Sequence, residues 1–195
     1  MNPDREKPYE GMIAETVYFE GFNQDSVQGY FAKPLTDSIR GGVVVIFEAF
    51  GMVEHTKELV RKFAANGYYS IAPDLYWREG YVDPVDMRAV RKAMGELPDV
   101  QAIADMQAAT LFLQDQPNCS GKIGVIGHCS GGRHSMLFAC NSNDVSAAVN
   151  CYGGRVIPDE LTDAMPKSVY DMLPDLTCPV LGLFGEKDGN PDPAQ

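Results

Sequence analysis

The sequence predicts an α/β domain, a mostly parallel β-sheet with helices on both faces. Three observations carry that expectation. The segment "GVVVIF" (42–47) is continuously apolar and β-branched, which is how a strand covered on both faces reads. "YYSIAP" (68–73), "KIGVIG" (122–127) and "VSAAVNCYG" (145–153) are further apolar runs of strand length. Helical periodicities stand between these runs, and such alternation builds parallel βαβ units. At 195 residues, 45% hydrophobic and 22% charged, the chain suits a single domain, 1–195, with a sizeable core.

Taken in order, "AETVYFEG" (14–21) and "VQGYFAKP" (27–34) read as two early strands, a hairpin joined through "FNQDS". After "GVVVIF", residues 54–67 read as a helix. Leu59, Val60, Phe63 and Ala64 form its apolar stripe, and Asn66-Gly67 stops it. Residues 83–97 read as a helix with Pro84 in its first turn. Residues 99–114 read as a longer one, with Asp99 as cap and Val100, Ile103, Ala104, Ala108 and Leu111 as its stripe. A helix over 131–140 follows "KIGVIG", and a last strand lies in "CPVLGLFGEKDG" (178–189), ending at Phe184. Residues 154–177, rich in Pro, Asp and Met, read as mostly loop.

Charge and cysteine content narrow the function classes. A net charge of −11 disfavours nucleic acid, because an acidic protein repels phosphate backbones. No apolar run reaches the roughly 18 residues that a membrane span needs. The polar N-terminus "MNPDREKPYEG" does not read as a signal peptide. The five cysteines, Cys119, Cys129, Cys140, Cys151 and Cys178, contain no C-x-x-C pair, so neither metal nor any other cofactor is expected. Free thiols without an export signal imply the cytoplasm.

In parallel sheets the chemistry gathers beyond the carboxyl ends of the strands. Glu48, Asp74, Cys129, Tyr152 and Asp188 hold such positions. Among them, Gly127-His128-Cys129-Ser130-Gly131 matches the nucleophile-elbow pattern G-x-S-x-G with cysteine in place of serine. An elbow needs small residues two positions before and two after the nucleophile, and Gly127, Gly131 and Gly132 supply them. The turn lifts the side chain above the sheet at a helix N-terminus, where the positive end of the helix dipole favours an anion. The Ser130 N–H then offers half of an oxyanion hole, and the Ala49 N–H, after the strand carrying Glu48, offers the other half. A dinucleotide-binding reading of the glycines fails, since no G-x-G-x-x-G follows a strand.

A cysteine nucleophile works with a base and an orienting acid. Asp188, in the turn after the last strand, is the candidate acid. The base is missing from its expected place, because no histidine follows Asp188. His128 abuts the nucleophile and should point away from it; His134 lies inside the next helix; His55 starts the helix after Glu48.

Together "FEAFG" (47–51), "GYYSIAPDLYWR" (67–78), "GKIGVIGHCSGG" (121–132), "NCYGG" (150–154) and "GEKDG" (185–189) resemble the dienelactone hydrolase family of the α/β-hydrolase superfamily. The resemblance implies an α/β-hydrolase fold and hydrolysis of small carboxylic esters or lactones through a Cys-His-Asp triad. It implies Cys129 as nucleophile, Asp188 as orienting acid, Glu48 as the holder of the resting thiol, and Ala49 and Ser130 as oxyanion donors. It also implies arginines that hold an anionic substrate, for which Arg78, Arg88 and Arg91 are candidates. Tyr152 is a further candidate for substrate binding. The family's catalytic histidine and last helix have no counterpart here, so the chain reads as C-terminally incomplete. That gap is expected to leave apolar sheet surface uncovered and to favour a homo-oligomer. Two other readings stay open: a small-molecule-binding or regulatory module that keeps the pocket without turnover, and a thiol redox sensor acting through Cys129.

Overall fold

In a computed structural model that describes residues 11–193, seven strands form one mixed sheet in the order β1-β2-β4-β3-β5-β6-β7. The hairpin of β1 (Met12–Glu20) and β2 (Ser26–Pro34) is antiparallel, with Phe22–Gln24 as a tight helical turn in its loop. β2 also runs antiparallel to β4 (Tyr69–Pro73). From there β4, β3 (Arg40–Ile46), β5 (Cys119–His128), β6 (Val145–Cys151) and β7 (Val180–Leu183) are all parallel. This is the architecture expected of an α/β-hydrolase fold. No described helix is long and apolar enough to cross a membrane.

Helices cover both faces. α1 (Glu54–Ala65) lays Val60 and Ala64 on Ala32, Val45 and Ala72, with Leu59 and Phe63 packed alongside. α3 (Asp99–Gln114) and α4 (Ser130–Asn141) cover the other face, where Met106, Leu113 and Phe138 meet Val44, Ile71 and Ile123 in the main core. Each large side chain sealed there contributes about 1.5–3 kcal/mol of apolar burial. Between Gly154 and Thr177 the only regular element is a short 3₁₀ segment, Tyr170–Asp175, as the loop-rich composition of that stretch implies.

Three helix expectations need correcting. α2 runs Met87–Glu96, so Pro84 stands before the helix; Asp86 caps it by accepting from the N–H groups of Arg88 and Ala89 at 2.9 and 3.2 Å. Asp99 is not the cap of α3; Pro98 holds that position and the Asp99 carboxylate turns to Arg133. The stripe assigned to α3 is the wrong one. Val100 and Leu111 are exposed, while Ala102, Met106, Ala109 and Leu113 are buried. Apolar residues occur on several faces of this helix, and the buried face is disguised by Asp99, Asp105 and Thr110. Both aspartates are tolerated there because each meets an arginine. Last, β7 ends at Leu183, one residue before the expected Phe184; all four of its residues, and Phe184, are exposed.

The two buried pairs tie loops to the sheet. Asp105 receives two nitrogens of Arg78, at 2.7 and 3.2 Å, and the Phe22 N–H at 2.8 Å, while Arg78 also reaches Asp25 and the Phe22 carbonyl. Arg133 binds Asp99 through two parallel bonds of 2.7 and 2.8 Å, joining α4 to the start of α3. Removing one partner strands a buried charge. Asp99→Ala is therefore expected to cost about 3–5 kcal/mol, read as a lower urea midpoint.

Gly127 is equally unforgiving. A Cβ there would sit 1.8 Å from the Gly131 carbonyl oxygen, whereas one at Gly124, on the same strand, would meet nothing closer than 3.7 Å. Gly127→Ala is expected to destabilise by more than the roughly 1–3 kcal/mol of ordinary overpacking, and Gly124→Ala to be near neutral, in the same urea titration.

Candidate active site

The site is built at the point where β5 turns into α4. Cys129 sits between them at φ 53, ψ −120, a left-handed conformation that costs a non-glycine residue on the order of 1–3 kcal/mol. The surrounding backbone enforces it. A Cβ on Gly131 would lie 2.4 Å from the Phe47 carbonyl oxygen, and one on Gly132 would lie 2.3 Å from Asn150 Oδ1. The elbow is also held from outside, by the Cys129 N–H donating to the Cys151 carbonyl at 3.0 Å and the Gly132 N–H donating to the Cys129 carbonyl at 2.9 Å. The thiol stands exposed, as do none of the other four free cysteines, which are buried or half-buried.

Cys129 opens on a cavity of about 320 Å³. Ala49 and Ser130 line it as well, and their backbone N–H groups meet no acceptor among the described residues. Ser130 begins α4, so its N–H has no intrahelical partner in any case. α2 and the long loop supply an apolar wall that includes Met87, Val90, Met94 and Met165. The charged lining residues are Arg91, Arg133 and Arg155, with no carboxylate among the lining groups of a chain whose net charge is −11. Arg133 is neutralised by Asp99, so Arg91 and Arg155 are the charges an anionic group meets in this cavity.

Glu48 lies half-buried just beyond β3, and the Tyr152 hydroxyl donates to its Oε1 at 3.4 Å. Tyr152 is itself held at φ 46 by its N–H bond of 2.7 Å to the Leu183 carbonyl. Burial, followed by the nearby Glu48 carboxylate, pushes the Tyr152 phenol above its usual range, so it remains a donor. Tyr76, ring-packed on Phe47 at 4.8 Å, is pushed up first by burial and then by Cys129 and Asp74. Asp74 faces a separate cleft with Lys57 and Trp77.

The structure separates the arginine candidates. Arg91 lines the cavity; Arg78 is spent on Asp105 and Asp25; Arg88 points to solvent from α2. Arg155 lines the cavity without having been singled out from the sequence, and it sits at φ 61 directly after the Gly153-Gly154 pair. Its signal was positional, since it follows the carboxyl end of β6. Asp188 is half-buried and accepts the Gly185 N–H at 3.0 Å, closing its own turn; Asn190, two residues on, reaches the cavity.

The three histidines have distinct surroundings. His55 is exposed. His128 does not line the cavity; its ring lies 6.1 Å from that of Tyr152, and its Nδ1 is sealed without a partner. Burial lowers its basicity, Glu48 opposes that, and His55 adds to it. His134 does line the cavity, with Nδ1 bound to the Ser130 carbonyl at 2.9 Å.

With this geometry established, the comparisons with known proteins are informative. The profile described as the dienelactone hydrolase family matches residues 27–193. The chain belongs to the dienelactone hydrolase family. A protein of Methylorubrum extorquens provisionally named carboxymethylenebutenolidase is 36% identical over 182 residues, which is 91% of this chain and 61% of that protein. A Salmonella typhimurium protein with the same provisional name is 35% identical over 169 residues, 84% of this chain and 61% of that protein. A crystal structure provisionally described as a dienelactone hydrolase from Klebsiella pneumoniae superposes with a TM-score of 0.84 at 32% identity, covering 93% of this chain and 75% of that one. The chain thus spans about 61% of the length of these curated relatives.

One titration follows from the site. Burial and the adjacent Arg133 push His134 down to about 4, against the weaker pull of Asp99 and the Ser130 carbonyl. The unfolded chain takes up that proton near pH 6.5 and the folded chain does not, so the contribution is complete above pH 6.5 and lost as pH falls toward 4. Up to about 3 kcal/mol of stability is expected to disappear over that window. Urea unfolding of the wild type and of His134→Gln at pH 7.5 and 4.5 checks it; the variant is expected to lose less.

Proposed function

We propose that this member of the family acts on small carboxylic esters or lactones bearing an anionic group, with Cys129 as nucleophile. The observation that carries the reading is the conjunction at one cavity of an exposed, strained Cys129 and the two unpaired N–H groups of Ala49 and Ser130. A thiolate attack forms a C–S bond, and the carbonyl oxygen becomes an anion between these donors. The alkoxide then leaves and the acyl group stays on sulfur. Glu48, hydrogen-bonded to the cavity-lining Tyr152, is the carboxylate assigned to hold and take the thiol proton. Arg91 and Arg155 are the counter-charges for the substrate anion. Tethering the ester beside the thiol supplies proximity.

Release of the acyl group needs a base to activate water. Neither His55 nor His128 lines the cavity, His134 lines it but burial beside Arg133 makes it a weak base, and Asp188 is bonded to its own turn. That arrangement favours acylation without rapid turnover by the residues in hand, and it gives weight to the second reading, a binding module that retains the pocket.

The test is early-time release of p-nitrophenolate from p-nitrophenyl acetate. A stoichiometric burst, absent in Cys129→Ala and followed by a plateau, is expected. A burst that persists in Cys129→Ala would assign the nucleophile elsewhere, and no release at all would leave the binding reading in possession.

A further inference from the structure

His134 is more than 90% buried on the first turns of α4, yet it belongs to the lining of the Cys129 cavity. Its Nδ1 lies 2.9 Å from the Ser130 carbonyl. A carbonyl oxygen only accepts, so Nδ1 must carry the proton and donate it. The ring is neutral, as its burial beside Arg133 also requires. The proton count then decides the other nitrogen: Nε2 is bare and holds a lone pair. Among the described residues nothing donates to it. It differs from His128 Nδ1, which is sealed off and orphaned; His134 Nε2 is not sealed. His134 lines the cavity, and Nε2 is its one ring nitrogen left without a partner among the described residues.

The cavity's charged side chains and free backbone groups point the opposite way chemically. Arg91 and Arg155 are donors, and so are the N–H groups of Ala49 and Ser130. They satisfy the oxygens of an ester and of a carboxylate. The side-chain oxygens of Ser130, Tyr152 and Asn190 also line the cavity, but each of those side chains can present a donor instead; the four donors just named cannot accept from a substrate hydroxyl or N–H. His134 Nε2 can, and a buried acceptor left unpaired by a ligand carries a desolvation cost that a matching donor removes.

We propose that His134 is a specificity-determining residue, which selects esters or lactones carrying a hydroxyl by accepting a hydrogen bond from that group at Nε2. This rests on the ester reading above. The position is fixed rather than adjustable, because the Ser130 bond locks both tautomer and ring. A donor-bearing substrate therefore meets an acceptor already oriented, on the same helix that presents Cys129.

The test compares matched pairs of p-nitrophenyl esters, those of 3-hydroxybutyrate and 4-hydroxybutyrate against butyrate, in the wild type, His134→Phe and His134→Gln. The quantity read is the ratio of burst rates within each protein, hydroxylated over plain, so that a general loss of folding or reactivity cancels. In the wild type one hydroxylated ester is expected to acylate about tenfold faster than its plain partner, the preference that one ordinary hydrogen bond gives. The ratio should fall to about one in His134→Phe, which keeps the ring volume without an acceptor, and recover in part in His134→Gln, whose amide oxygen can stand near Nε2. No preference in the wild type, or a preference that survives in His134→Phe, overturns the proposal. If no ester acylates Cys129, the hydrolase reading fails on its own evidence; the free acids of the same pairs, titrated calorimetrically, then decide the His134 assignment by the same ratio of affinities.

Discussion

The contact on which the rest of this molecule depends is between backbones. The first turn of α4 comes so close to the carboxyl ends of β3, β5 and β6 that no Cβ fits at Gly127, Gly131 or Gly132. Everything chemical is a by-product of that approach. With no room sideways, the chain at Cys129 is forced into a left-handed turn and the thiol is pushed outward. The end of β3 is brought against the elbow at Phe47, which puts Ala49 on the same cavity as Cys129. A single steric constraint thus sets the Cys129 thiol, the end of β3 and the first turn of α4 together.

Two buried arginine–aspartate pairs then hold what the sheet alone does not. Arg133 joins the elbow helix to the start of α3, and its Nε donates to the Arg155 carbonyl at 3.3 Å. The loop that carries Arg155 into the cavity is therefore fixed through an arginine which has no charge to spare for substrate. Arg78 does the equivalent for the hairpin loop at the far end of the sheet. Both pairs exploit the planar fork of the guanidinium, which meets a carboxylate with two bonds at once and so tolerates burial that a lysine would not.

What could be read in the sequence follows from what is local. β3, β5 and the elbow were legible because continuous β-branched runs and the glycine spacing have one structural solution. α3 was placed correctly but turned to the wrong face, since Asp99 and Asp105 look solvent-facing until their partners Arg133 and Arg78 are seen, 34 and 27 residues away. The arginines near the cavity failed for the same reason: whether Arg78 or Arg91 is available to a ligand depends on distant neighbours that spacing does not encode. Arg155 was hidden by a loop without periodicity. In the sequence His134 reads only as a base candidate poorly placed inside a helix; that its Nδ1 meets the Ser130 carbonyl is a contact spacing does not encode.

The helix that roofs the cavity is its least anchored part. α2 buries only Val90 and Ala93 along ten residues, and presents methionines to the interior. Unbranched thioethers re-pack at little cost, and a helix with so few sealed contacts opens locally well below the global unfolding free energy. The floor, by contrast, is the rigid first turn of α4. A pocket with a compliant roof and an immobile floor discriminates poorly by size and well by the direction of its hydrogen bonds, so ligands of quite different bulk should be admitted provided their polar groups match the floor.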